Sequence, residues 1–305
     1  MADPIAVVLS RNRDANTEQQ RLEGKLLDGL AGLSGIHVTV VPHLYDLAPH
    51  GPALQRLRSF SEEMIVLSWL YPRAAYWVLD ANGIPGRLGP TFSLSEGDLD
   101  EPAPQPPSGE RARTIWCFDL RTCDRPDPYL RQIERIVSLA AEPGLAAREV
   151  LAAAPIRQID EAVRPRWYPV VDFSRCTNCL ECLNFCLFGV YSVDTAQGIL
   201  IEQPDACRPG CPACARICPH GAIMFPQHKE PAIAGDPEAS LKELKLDLSQ
   251  LFGGASPADL AAAERRRALG QQGAQPAPGP HRSADPTPEQ DALDRLVDEV
   301  DRLDL

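Results

Sequence analysis

The sequence predicts an α/β domain, a parallel sheet with helices on both faces, joined to a small α+β module rich in cysteine and followed by a disordered C-terminal tail. Three observations carry this prediction. Apolar runs of strand length alternate with segments of helical spacing through residues 1–145. Eight of the ten cysteines fall between Tyr168 and His228. Beyond Lys229 the composition turns to proline, alanine, glycine and charge, as in GQQGAQPAPGPHRSADPTP.

Taken in order, Ile5–Leu9 (IAVVL) is a continuous apolar run, as expected of a strand buried on both faces. Thr17–Leu33 has helical spacing, with Leu22, Leu26, Leu27 and Leu30 on one face. His37–Val41 reads as the second strand, Pro52–Phe60 as a short helix and Met64–Leu70 as the third strand. Pro72–Gly83 begins with proline, which suits a first helical turn. Thr114–Leu120 is the fourth strand and Pro128–Glu142 the fourth helix. Leu88–Arg113, with EPAPQPPSGE, breaks the alternation and reads as a surface excursion. Repeated strand–helix units imply parallel strands.

An alanine-rich helical linker is expected over residues 146–166, the cysteine-rich module over 167–230 and a flexible tail over 231–305. Within the tail, Leu241–Phe252, Pro257–Leu269 and the final acidic, amphipathic segment are candidate helices. The net charge of −12 argues against nucleic acid as a partner. No apolar window reaches the length of a membrane span, and no basic leader is visible, so a cytoplasmic location is expected. In a reducing compartment ten cysteines point to metal ligands or buried thiols rather than disulfides.

The first burst, CTNCLECLNFC, places Cys176, Cys179, Cys182 and Cys186 at C-x2-C-x2-C-x3-C. The second, CRPGCPACARICP, places Cys207, Cys211, Cys214 and Cys218 at C-x3-C-x2-C-x3-C-P. Four thiolates must converge on a cubane cluster; short x2 spacings deliver three from one loop, and the fourth comes from elsewhere. Tyr168–His228 therefore resembles the bacterial-type ferredoxin domain with two [4Fe–4S] clusters. The resemblance implies that the fourth cysteine of each burst serves the other cluster. One cluster would take Cys176, Cys179, Cys182 and Cys218, the other Cys207, Cys211, Cys214 and Cys186. It also implies a lead-in strand in YPVVDFSRC, a hairpin from Val190–Val193 and Ile199–Glu202, and a return through PHGAIMF. Two positions depart from the pattern: Leu187 stands where proline is usual, and the second burst opens with x3.

Structural zinc is the alternative, but zinc sites typically space their pairs farther apart. Two adjacent clusters suit electron transfer, whereas clusters that only brace the fold remain a second reading. Eight thiolates and two +2 cores would add about −4 to the module, so a redox partner with a basic docking surface is expected. His220, after Cys218-Pro219, is placed to lie over a cluster; His228 and His281 read as solvent-facing.

The first domain carries neither a G-x-G-x-x-G nor a P-loop motif. In open parallel sheets the working crevice lies at the carboxyl ends of the strands. Those ends carry Arg11, then His43 and Tyr45, then Trp69, Tyr71 and Arg73, then Asp119 and Arg121. Aromatics with a few polar groups could form a site for a flat cofactor or a partner. Equally, Trp69, Tyr76 and Trp77 read as core, Arg73 as a helix-surface charge, and Asn16 or Thr17 as a helix cap. The layout resembles chelatase-like and flavodoxin-like domains at fold level only, with His43 as the candidate metal-handling residue of the former. Cys117 reads as a buried strand thiol, with a redox pair to Cys123 as the alternative.

Three functional readings follow. The chain is a carrier or electron-entry subunit, an enzyme whose first-domain crevice receives electrons, or an interaction scaffold braced by clusters.

Overall fold

The four apolar runs become neighbouring parallel strands in the computed structural model, which describes residues 4–90, 113–140, 156–239 and 264–267. In chain order the elements are β1 (Ile5–Ser10), α1 (Thr17–Ala31), β2 (Ile36–Val41), α2 (Pro52–Arg58), β3 (Met64–Ser68), α3 (Pro72–Ala81), β4 (Arg87–Leu88), β5 (Thr114–Asp119), α4 (Pro126–Ala140) and β6 (Arg157–Gln158). They build a six-stranded sheet of order β4-β5-β3-β1-β2-β6 in which every pairing is parallel.

Alternate side chains of each strand enter opposite cores, which is why the runs are apolar throughout. Ala6, Val8, Met64, Val66, Ile115 and Cys117 pack beneath Leu54 and Leu57 of α2 and Ala74 and Val78 of α3. Val7, Leu9, Ile65, Leu67 and Phe118 meet Leu22, Leu26 and Leu30 of α1 and Ile133 and Ile136 of α4. Asn16 and Gln19 form a capping box at the start of α1, so the expected cap is present there.

The two edge strands of this sheet, β4 and β6, depart from expectation. Of the linker expected to be helical, residues 156–166 are described and contain no helix. Arg157 and Gln158 instead pair with Thr39 and Val40, and the Ile159 N–H donates to the Val40 carbonyl (2.9 Å). Backbone hydrogen bonds at an open sheet edge outweigh local helix propensity here.

The cysteine-bearing segment follows with β7 (Val170–Val171), α5 (Glu181–Phe185), β8 (Tyr191–Val193), β9 (Ile199–Ile201), α6 (Ala213–Ile217), β10 (Ile223–Met224) and α7 (Pro231–Ala234). The expected hairpin is β8 with β9, and the returning chain pairs β10 with β7, both antiparallel. α7 extends the folded part past the expected boundary at residue 230, because Ala232, Ile233 and Ala234 are buried. Of the expected tail helices, residues 264–267 are helical; the rest, with His281, lie outside the described residues, as does most of the excursion after Leu88. No helix among the described residues is long and apolar enough to cross a membrane.

Candidate metal centre

Cys176 follows β7 after a four-residue turn, and the loop after it is wound unusually tightly. Asn178 (φ 58°) and Leu180 (φ 61°) both take the left-handed conformation. Asparagine tolerates it, whereas a leucine there costs about 1–2 kcal/mol and persists only where its surroundings demand it. Asn178 is clamped to the hairpin turn, donating to the Gln197 carbonyl (2.6 Å) and accepting from the Ile199 N–H (2.8 Å). Leu180 caps α5, which carries Cys182 in its first turn and ends at Cys186, whose N–H donates to the Cys182 carbonyl (3.1 Å).

The second burst repeats this build. Cys214 lies in α6, and the Cys218 N–H closes that helix on the Cys214 carbonyl (3.2 Å). Gly189 and Gly221, each three residues after the closing cysteine, both have positive φ. The extra residue of the x3 spacing is absorbed by a turn in which the Cys211 N–H donates to the Arg208 carbonyl (3.0 Å). Gly210 completes that turn at φ 76°, a conformation glycine adopts without penalty. Leu187, at the departure from the usual proline, is 75% exposed.

The two bursts meet in space. One cleft is lined by Cys176, Cys179 and Cys182 of the first burst and Cys218 of the second, with Val171, Ile199, His220 and Ile223. Cys207, Cys211 and Cys214 are buried, and Cys186 is half-buried in the same apolar cluster as Cys207 and Cys214. Phe185, Phe188 and Ile217 pack around Cys211. All ten cysteines are free thiols.

Burial pushes the Cys182 thiol up to about 12, and pushes Cys207 and Cys214 well above the usual thiol range. Thiolates gathered in such a place need a cationic core to exist, and binding one releases their protons. Two donors already aim at sulfur: Tyr191 Oη at Cys214 Sγ (3.1 Å) and the Ala222 N–H at Cys218 Sγ (3.3 Å). Among the described residues no three His, Cys, Asp or Glu side chains close up to the spacing of a single metal ion. An iron–sulfur cubane is a larger object than one ion, and its thiolates stand correspondingly apart. The donor set, soft and wholly sulfur, fits a cluster.

The strand-end residues singled out from the sequence do not form one crevice. Arg11 and His43 line a groove of about 730 Å³ with Arg13, Asp46 and Gln158. Trp69 and Arg121 line a separate groove of about 460 Å³ beside the start of α1. Arg121 grips the Asp119 carboxylate through Nε and Nη2, and its guanidinium lies 4.0 Å above the Tyr71 ring. Trp69 is core, donating to Glu23 (2.9 Å). Cys117 and Cys123 pack into cores on opposite faces of the sheet, so they do not form a pair.

Tyr45 and Arg73 instead join the sheet to the cysteine-bearing segment. Tyr45 binds the backbone of Tyr168. Arg73 is buried, not a surface charge: Nε donates to Asp172 (2.6 Å) and Nη2 to the Gly221 carbonyl (2.7 Å). His43 Nε2 lies 2.9 Å from the Gln227 amide nitrogen, and its Nδ1 faces Asp46 at 3.4 Å. His228 is half-buried beside Trp167 rather than solvent-facing; burial and Arg216 lower its pKa. Asp172, Asn178 and Tyr191 escaped sequence reasoning because each acts through a partner distant in the chain.

No protein-family model matches the chain. A protein of Methanocaldococcus jannaschii described as an uncharacterized ferredoxin is 32% identical over 104 residues, a stretch that is 32% of this chain and 70% of that relative. At that identity, and over that much of the relative, the chain belongs to the ferredoxin family.

Proposed function

We propose that the protein is a cytoplasmic electron carrier, or electron-entry subunit, holding two [4Fe–4S] clusters in residues 167–230. The observation that carries this reading is the cleft lined by three thiols of one burst and one of the other. Cys176, Cys179, Cys182 and Cys218 would hold one cluster; Cys207, Cys211, Cys214 and Cys186 would hold the second. When bound, such clusters supply one-electron acceptor and donor states. The protein's own part is to position, insulate and tune. Tyr191 and the Ala222 N–H donate to sulfur, which draws charge from the ligands and favours the reduced state. The exposed Cys179 loop gives the first set contact with solvent, while burial of Cys207, Cys211 and Cys214 insulates the second. The acidic chain suits a redox partner with a basic docking surface.

Anaerobic purification, followed by iron and acid-labile sulfide analysis and EPR of the dithionite-reduced protein, tests this. About eight irons and eight sulfides with spin-coupled signals are expected. Zinc without sulfide would overturn the reading and make the bursts structural.

The groove bordered by Arg11, Arg13 and His43, at the carboxyl ends of β1 and β2, favours one second reading. In it, this groove, walled from within residues 11–46 and 158–165, binds an organic substrate or cofactor that exchanges electrons with the clusters. An organic molecule released from the purified protein would move the assignment to an enzyme.

A further inference from the structure

We infer that the α/β layer is itself part of the first cluster site, and that Arg73 is the positioning residue through which it acts. This rests on the two-cluster reading above. Arg73 sits in the first turn of α3, 6% exposed, and its fork reaches two chain segments at once. Nε binds the carboxylate of Asp172, itself 2% exposed, and Nη2 binds the Gly221 carbonyl.

Both segments deliver ligands of the same set. The Asp172 carbonyl accepts from the Cys176 N–H (3.0 Å), and its Oδ1 accepts from the Ser174 N–H (2.9 Å), fixing the turn into the first thiol. The Asp172 N–H donates to the Ala222 carbonyl (2.8 Å), and the Ala222 N–H donates to Cys218 Sγ. One guanidinium from the sheet side thus ties the arm that carries Cys176 to the arm that carries Cys218. Those cysteines belong to different bursts, and they line one cleft. Arg175 also faces Asp172, at 3.6 Å, so two cations surround one carboxylate beside the thiols. A buried ion pair adds little net stability over an apolar replacement, yet it fixes geometry that a less directional contact would leave loose. Trp167 meets Cys211 and Tyr191 meets Cys214 within the cysteine-bearing segment, whereas the sheet side reaches the second set through a different and more exposed tie: Arg166, held by Asp46 and the Leu47 carbonyl, grips Asp205 two residues before Cys207.

Arg73→Met, Arg73→Lys and Tyr45→Phe are compared with the unaltered full-length chain. Tyr45→Phe cuts two other buried hydrogen bonds between the same two layers, both to Tyr168, outside the arms that carry Cys176 and Cys218. Iron, sulfide, thermal melting and an EPR-monitored redox titration are measured on each. Arg73→Met is expected to lose about half its iron and sulfide, or to keep both while one midpoint potential moves and the other stays. Arg73→Lys, which keeps the charge but not the fork, is expected to restore most of the cluster content with a smaller shift of the same potential. Tyr45→Phe is expected to lower the melting temperature and leave both potentials in place. Full cluster content with unmoved potentials in Arg73→Met would overturn the inference. So would equal loss of both clusters, or the same cluster defect in Tyr45→Phe. Should Arg73→Met fail to fold, Arg73→Lys decides alone, and unmoved potentials in it count against the inference. Absence of sulfide from the unaltered protein would instead sink the two-cluster reading itself, a distinct result.

Discussion

Tyr45 and Tyr168 lie face to face, their ring centroids 4.3 Å apart, and the Tyr45 hydroxyl both donates to the Tyr168 carbonyl and accepts from its N–H. A side chain in the short 3-10 turn Leu44–Asp46 that follows β2 thereby satisfies both backbone groups of a residue at the entrance to β7. Burial raises the pKa of Tyr45 well above the usual range, so the hydroxyl stays protonated and keeps its donor. Tyr45→Phe leaves the Tyr168 N–H and carbonyl buried without partners. The expected loss is about 1–3 kcal/mol in denaturant unfolding, with the slope unchanged. An unchanged midpoint would show that water takes over both bonds.

The crossed ligand sets proposed above make an asymmetric prediction for paired substitutions. Cys176→Ala with Cys218→Ala removes two thiols from one set and is expected to cost about four irons and four sulfides. Cys176→Ala with Cys186→Ala removes one from each set and should impair both clusters. The reverse pattern in iron and sulfide analysis would mean that each burst serves its own cluster.

What the sequence could and could not reveal follows from the range of each signal. β1, β2, β3 and β5 were legible because a strand covered on both faces must be apolar at successive positions, as IAVVL is. β4 and β6 were not, since Arg87–Leu88 and Arg157–Gln158 are held by backbone pairing at the sheet's two edges. The thiol spacings were legible because each burst is local. The role of Arg73 was hidden because its partner Asp172 lies 99 residues away, and a lone arginine two residues into a helix looks like a surface charge. Likewise, His43 and Arg73 both stand at strand exits, but the cysteine-bearing segment covers them, so they do not share a crevice.

Acid sensitivity should centre on Asp46. Burial opposes its ionisation, but the His43 ring beside it at 3.4 Å and hydrogen bonds from Arg13 and the Arg166 N–H outweigh burial and hold its pKa below the usual carboxylate value. A depressed carboxyl pKa contributes stability that is fully present above the unfolded value, about 3.9, and is lost as pH falls through the folded value. Stability is therefore expected to fall on acidification below about pH 4. Asp46→Asn should be weaker by about 1.5–3 kcal/mol at neutral pH and flatter across the acid range. Parallel acid profiles for the two proteins would remove Asp46 as the cause.

Gly235 tests how closely the cysteine-bearing segment must approach α3. It closes α7 at φ 103°, its N–H donating to the Pro231 carbonyl (3.0 Å). A Cβ there would lie 2.9 Å from Ala74 Cβ and 2.9 Å from Met224 Sδ. Gly235→Ala therefore combines an unfavourable backbone conformation with a steric conflict between two buried layers, and a loss of about 1–3 kcal/mol is expected. Gly24 offers the matched contrast. It lies on the exposed side of α1 with nothing within 4 Å of a Cβ, so Gly24→Ala should stabilise by about 0.5–1 kcal/mol. Thermal melts of the two variants should move in opposite directions. If Gly235→Ala melts with the unaltered protein, the contact between α7 and α3 is loose enough to shift, and the tight seam between the layers is not required for folding.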